Sequence, residues 1–295
     1  HGLTMEMDLH SLIPLLPELV LLLAGCAILV LDLFLTDRQR DLTYVLSLVA
    51  LAAAAGAAIG VGSGAREILM SGNFVRDPMA DALKVAIFVV TALAFVYSRG
   101  YLEARKLYRG EYYVLGLFAA LGMSVMASAG SFLTAYLGLE LLALSLYALV
   151  AFDRDSGAGS EAAIKYFVLG AMASGLLLYG ISMIYGASGA LDFATVSENL
   201  RQTDTDRTVL VFGVVFVAGF ALLSLTGWSY PLQPAQRWAL QVVLFIAIGA
   251  YFVYCWVRAG QTLPMKSWRL RLVDRDGRLL SPARAVLRYV LAWSL

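Results

Sequence analysis

Residues 131–152 read SFLTAYLGLELLALSLYALVAF, and EAAIKYFVLGAMASG, residues 161–175, opens the next apolar run. The first stretch is long enough to cross a hydrocarbon core about 30 Å thick as a helix. Glu140 interrupts its middle, and Lys165 stands near the start of the second. A carboxylate at bilayer depth costs roughly 2.5–3.5 kcal/mol on insertion scales, so it is normally paired, protonated or set on a polar pathway. An acid and a base on consecutive membrane helices are the groups needed to move protons or ions.

Composition gives the same solvent. The chain is 60% hydrophobic and 15% charged, against about 25% charged in soluble domains. Apolar runs near 12–35, 42–61, 79–97, 112–128, 131–152, 161–186, 208–227 and 237–257 read as spans, and a ninth begins near 283. The fold class is all-α, a polytopic membrane helical bundle of about eight transmembrane helices plus the start of a ninth, because helices satisfy their own backbone in lipid. A barrel is excluded, since the runs lack its alternation over about 10 residues. The first run has no basic segment before it and no small-residue cleavage pattern after it, so it is not a signal peptide. Met5 or Met7 is the expected natural start.

Several chemistries lack their residues. Cys26 and Cys255 lie inside separate spans, and the histidines are His1 and His10 alone. Metal, haem and iron–sulfur sites therefore have no ligand set, and no glycine-rich phosphate loop follows a strand. No cofactor and no nucleic acid is expected on this chain; any redox chemistry belongs to a partner.

Loop charges orient the bundle. Arg38, Arg40, Arg99, Arg105, Lys106, Arg109 and Arg154 fall in alternate loops, seven basic groups against four (Arg66, Arg76, Arg201, Arg207) on the other side. The positive-inside rule puts the larger set in the cytoplasm and the N-terminus outside. Residues 258–288 then carry eight basic groups on what alternation makes the outer side. Either 208–227 or 237–257 does not cross, or a junction near 208–240 joins segments of unlike topology, and the second explanation is preferred.

On the span 131–152, Tyr136, Glu140 and Tyr147 share one helical face, with Thr134 and Ser145 nearby. Glu140 lies about 20 Å from Asp153 at 1.5 Å per residue. Ser160 is the expected N-cap of the next helix, which puts the Lys165 backbone roughly 8 Å deep. Contact between the two is not required by these depths; water or a neutral relay between them fits. Two plainer readings stand beside the functional one: Lys165 as an interfacial lysine paired with Glu161, and Glu140 as a protonated carboxyl bonded to a neighbouring helix. Glu18, Asp32, Asp81 and Lys84 fall near span ends and read as boundary residues. The step from Gly56 to Gly60, and Gly170 with Ser174, are spacings that let helices approach closely.

The run YLGLELLALSLYALVAFDRDSGAGSEAAIKYFVLGAMASGLLLYGISMIYGASGALDF resembles the N subunit of bacterial proton-pumping NADH:quinone oxidoreductase, respiratory complex I. LIPLLPELVLLLAG and YSRGYLEARKLYRGEYYVLGLFAALGMSVMASA are similar to the same subunit, so the likeness covers about residues 10–218. The resemblance implies an antiporter-like subunit of two inverted repeats, related to Mrp-type antiporters. It takes part in proton translocation coupled to quinone reduction and has no redox centre of its own. Carried over, Glu140 matches the family's buried glutamate and Lys165 its lysine on the following helix, both assigned to proton translocation. NADH, FMN, iron–sulfur clusters and quinone are then expected on partner subunits, and the partners are the other membrane subunits and the lipid bilayer. The span 208–227 departs from the family pattern, because it carries no lysine, and the second repeat is absent.

From about residue 240, AYFVYCWVRAGQTLPMKSWRLRLVDRDGRLLSPARAVLRYVLAW resembles the later part of an RDD-family membrane protein, with Ser281-Pro282 opening a helix. The chain is thus expected to divide into an antiporter-like part, 1–218, and an RDD-like part, 219–295. A secondary cation/proton antiporter, or an RDD-type membrane module without catalysis, are the alternative functions.

Overall fold

The computed structural model describes residues 13–35, 39–62, 64–202, 213, 249, 252–254, 256–258 and 280–292. Among these, six helices are long and apolar enough to cross a membrane. They are α1 (Leu16–Asp32), α2 (Arg40–Gly60), α3 (Pro78–Ala104), α4 (Gly110–Ala127), α5 (Phe132–Val150) and α6 (Gly157–Ser188). These are the first six expected spans. The expected spans 208–227 and 237–257, and the charge-reversed segment, lie almost wholly outside the described residues. The chain divides into two compact units, one of residues 1–178 and 190–202, the other of 179–189 and 203–295.

Local chemistry starts these helices. Asp77 accepts the Ala80 N–H at 2.7 Å ahead of Pro78 at the first turn of α3, the arrangement that satisfies an orphan donor and pre-sets the backbone. Ser131 does the same for α5 through Thr134 N. For α6 the cap is Ser156, which accepts Gly159 N–H at 3.1 Å. Ser160, the expected cap, is already inside the helix. The helix starts a turn early because Ser156 follows the turn residues Asp153–Asp155 directly, leaving Gly157–Ser160 free to wind.

Within the first unit, α4 is the central helix, packing on α1, α2, α3 and α5. Its core includes Leu21, Leu51, Phe88, Tyr113, Leu117 and Ala120. The approach of α4 to α5 is set by two glycines: a Cβ on Gly122 would lie 2.6 Å from the Gly138 carbonyl oxygen, and one on Gly138 2.7 Å from that of Gly122. A methyl group added at Gly56 or Gly60 would meet nothing within 4 Å, so that step makes no close packing among the described residues. Large apolar side chains such as Leu23, Val90 and Leu93 face outward, as a lipid-facing surface requires.

The two ends of this unit differ. At one end Arg40 donates to the Tyr108 carbonyl, Arg99 pairs with Asp41 at 3.0 Å, and Arg154 reaches Glu111 at 3.7 Å. Burial, then the hydrogen bond to Asp41, pushes the Tyr108 hydroxyl above its ordinary range. The opposite end carries an antiparallel hairpin, β1 (Glu67–Leu69) and β2 (Phe74–Arg76), in a connection that the pattern of apolar spans does not distinguish from loop. Three connections are knitted together there: Gly130 N–H donates to Asn73 O, Val75 N–H to Ser128 O, and Phe132 N–H to Leu191 O. Gly130 has no room for a side chain, since a Cβ would fall on the Gly72 carbonyl. Asp192 then caps α7 (Phe193–Gln202), and the Thr195 hydroxyl and N–H hold its carboxyl below the usual range.

In the second unit, α8 (Pro282–Ala292) begins where Ser281-Pro282 was expected to start a helix, and Ala285 and Tyr289 pack with Trp256.

Because the α4–α5 contact has no slack, Gly138→Ala should cost about 1–3 kcal/mol, the usual penalty of overpacking. Gly56→Ala should be near neutral. Equilibrium unfolding of the two variants in mixed detergent checks the contrast.

Candidate functional site

Two polar clusters lie within the apolar helices of the first unit. The first is built on Glu140. α5 carries it eight residues past Phe132 and ten before Val150, roughly 12–15 Å from either end. The Ser174 hydroxyl of α6 donates to the Glu140 carboxylate and also lies 3.2 Å from the Tyr136 hydroxyl. Tyr136 is one turn before Glu140 and shares its face, as the spacing predicted, and that face meets Ser174 of α6. Below them the Tyr147 ring packs edge-on against Tyr166 and Phe167. Gly170 makes room for it, because a Cβ there would meet the Tyr147 hydroxyl. The carboxylate therefore points at polar neighbours.

Lys165 stands elsewhere on the same helix. It pairs with Glu161, one turn nearer the start of α6, and its side chain is 40% exposed. Lys165 and Ser174 are nine residues apart, which separates them by roughly 13 Å along the axis. The structure thus brings Glu140 to Ser174 and Tyr136, and Lys165 to Glu161. Ser174 was legible only as a small residue in a packing step; its hydroxyl matters because α6 faces α5 at that level.

The second cluster overturns an expectation. Glu18 and Lys84, read as boundary residues, are among the most buried groups of the bundle: the Lys84 side chain is 0% exposed and that of Glu18 is 7%. Lys84 Nζ lies 2.8 Å from Glu18 Oε1, and the Ser124 hydroxyl donates to the same oxygen at 2.6 Å. The ammonium approaches off the hydrogen-bonding direction, so the contact is an ion pair rather than a directed bond, and Oε2 has no donor. Phe74 of the hairpin covers the pair, its ring centroid 4.9 Å from Nζ. Depth along each helix is close to a span end, as the sequence implied. The hairpin closes over that end and converts an interface into an interior.

Asp81 and Asp32 are also more than boundary charges. Asp81 takes a two-pronged contact from Arg76, itself only 3% exposed, at 3.1–3.3 Å. Asp32 accepts the Thr43 hydroxyl at 2.7 Å and sits over Gly110, the first residue of α4, where a negative charge favours the helix dipole.

The first unit is thus a polytopic bundle with an acid in mid-span hydrogen-bonded from α5 to α6. Residues 129–266 match the family described as NADH:quinone oxidoreductase/Mrp antiporter, TM. The chain is 51% identical over 214 residues to NADH-quinone oxidoreductase subunit N of Thioalkalivibrio sulfidiphilus, covering 72% of this chain and 45% of that protein. It thus spans under half the length of this curated relative. In fold it is similar to a chain of respiratory complex I from Thermus thermophilus with bound aureothin (TM-score 0.51, 23% identity, 94% of this chain and 64% of that one). It is likewise similar to a chain of the Mrp complex from Dietzia sp. DQ12-45-1b (TM-score 0.57, 20% identity, 74% and 41%).

Removing one partner of a buried ion pair leaves the other uncompensated. Lys84→Ala is expected to cost roughly 3–5 kcal/mol, while Glu18→Gln combined with Lys84→Met recovers most of the loss. Unfolding midpoints of the single and double variants in detergent provide the check.

Proposed function

We propose that this chain is a proton-translocating membrane component of an NADH:quinone oxidoreductase, without a redox centre of its own. The observation that carries the reading is Glu140, an acid in mid-span bonded to Ser174 beside Tyr136, in a chain half-identical to a relative named subunit N. Hydroxyl partners can donate to a carboxylate or accept from a carboxylic acid. Glu140 can therefore gain and lose a proton with its hydrogen bonds kept. No adjacent cation is left stranded.

Lys165, in this reading, serves the stretch between Glu140 and the arginine-bearing end, where it stays close to Glu161. Water or a neutral relay spans the axial gap. Quinone, NADH, FMN and iron–sulfur clusters belong to partner subunits, and the other membrane subunits of the complex are the contacts of this one. The arginine-bearing end faces the cytoplasm, which makes the N-terminus periplasmic. Arg40, Arg99 and Arg154 meet there, and Arg76 at the opposite end is neutralised by Asp81.

The division into an antiporter-like part, 1–218, and an RDD-like part, 219–295, is also proposed; the family match itself runs on to residue 266. Membrane-impermeant labelling of residues 258–288 from either side tests it, because continuous alternation requires the outer side. A secondary cation/proton antiporter is the second reading, supported by the shared fold with the Mrp complex. Co-purification with flavin and iron–sulfur subunits separates the two.

Glu140→Gln is expected to lower quinone-dependent proton pumping in the assembled enzyme, and Lys165→Ala to lower it less. Proton uptake into sealed vesicles measures both. Wild-type pumping by the glutamine variant removes Glu140 from the pathway, and equal severity of the two makes Lys165 a direct partner in the transfer.

A further inference from the structure

We propose that Glu18, Lys84 and Ser124 form a second proton-exchange site, reached from the hairpin face through Asp81 and separate from Glu140. Three features of the geometry carry this. Both partners of Glu18 converge on Oε1, the ammonium at 2.8 Å and the Ser124 hydroxyl at 2.6 Å. That leaves Oε2 buried and without a donor. A buried carboxylate oxygen in a folded protein normally has a hydrogen-bond partner; without one at Oε2 the charged form is under-compensated, and protonation lowers that cost by making the oxygen neutral.

Next, Lys84 is not held by Glu18 alone. The face of the Phe74 ring stabilises its charge, as a ring quadrupole does for a desolvated cation. The ammonium therefore keeps a favourable contact while Glu18 is neutral. Finally, exposure rises along α3 from Lys84, 0% exposed, to Asp81 one turn before it, 17% exposed and gripped by Arg76 of the hairpin. Of the carboxylates Glu18 and Asp81, the latter is the more exposed and serves as the port to water.

Among the described residues, the groups at this end are few. α3 presents Lys84 and Asp81, with Asp77 at its N-cap, the hairpin presents Arg76 and Phe74, with Glu67 opposite Arg76, and α4 presents Ser124. From Val45 to Gly60, α2 contains no ionisable residue; its Arg40, Asp41 and Tyr44 lie at the opposite end. The exchange is balanced simply. A proton from water at the hairpin face passes by way of Asp81 to Glu18 Oε2, converting carboxylate to carboxylic acid while Lys84 stays an ammonium. The same proton leaves to restore the ion pair, and nothing is oxidised or reduced.

The test is infrared difference spectroscopy of the full chain in lipid vesicles, between acidic and alkaline buffers. It reads the carboxylic-acid carbonyl stretch directly. It does not require the chain to pump, so its outcome is independent of Glu140. Wild type should give a carbonyl band that Glu18→Gln removes while Glu140→Gln leaves it in place. The neutral pair Glu18→Gln with Lys84→Met guards against misfolding, since no charge is left buried alone; helical circular dichroism should match wild type and the band should be absent. Asp81→Asn should slow the deuterium shift of the Glu18 band after transfer to heavy water. A difference spectrum unchanged in the single and double Glu18 variants would show a carboxylate of fixed charge and overturn the proposal. An unaltered exchange rate in Asp81→Asn overturns the assigned route.

Discussion

An ionisable side chain inside this bundle has no bulk water to lean on, and Glu18, Lys84, Asp81 and Glu140 each have a partner on another helix or on the hairpin. Uncompensated, such a group costs several kcal/mol. The arrangement of α1, α3, α4 and the hairpin follows from that constraint. Glu18 on α1, Lys84 on α3 and Ser124 on α4 come to one point, and Phe74 closes it from above. A shift of any of these helices by one turn would strand a charge. The pair thus specifies register.

The two acidic clusters solve the same problem in different ways. Glu18 is compensated by a cation, while Glu140 is compensated by the Ser174 hydroxyl of α6, which also meets the Tyr136 hydroxyl. The first is strongly determined by geometry and tolerates little truncation. The second is softer, since hydroxyls reverse their direction of donation at little cost. Its position depends on backbone contact rather than charge. Gly122 and Gly138 let α4 and α5 touch, which fixes the height of Glu140 two residues further on, and Gly170 admits the Tyr147 ring below it. Helix association in lipid relies on such close packing because hydrophobic burial between helices gives little there.

The hairpin end gives the bundle its asymmetry. Backbone bonds join the hairpin to the α4–α5 connection and that connection to the one before α7. These bonds satisfy loop amides that a lipid boundary would otherwise expose. The far end is held instead by exposed or partly exposed ion pairs of Arg99, Asp41, Glu103, Arg154 and Glu111. Such pairs are individually weak and screened by salt. That leaves the arginine-bearing end the more yielding of the two, the end toward which Lys165 lies.

By itself the amino-acid sequence determined the solvent, the first six spans, the alternation of charged loops and the face shared by Tyr136 and Glu140. All of these follow from local composition and helical period. Tertiary structure decided which charges meet. Glu18 and Lys84 are far apart along the chain, and nothing in their neighbourhoods signals that a short hairpin will fold over them. Ser174 likewise became the partner of Glu140 only through the facing of α5 and α6. Burial and pairing depend on the distance between helices, and a one-dimensional pattern of apolar and polar residues does not contain that distance.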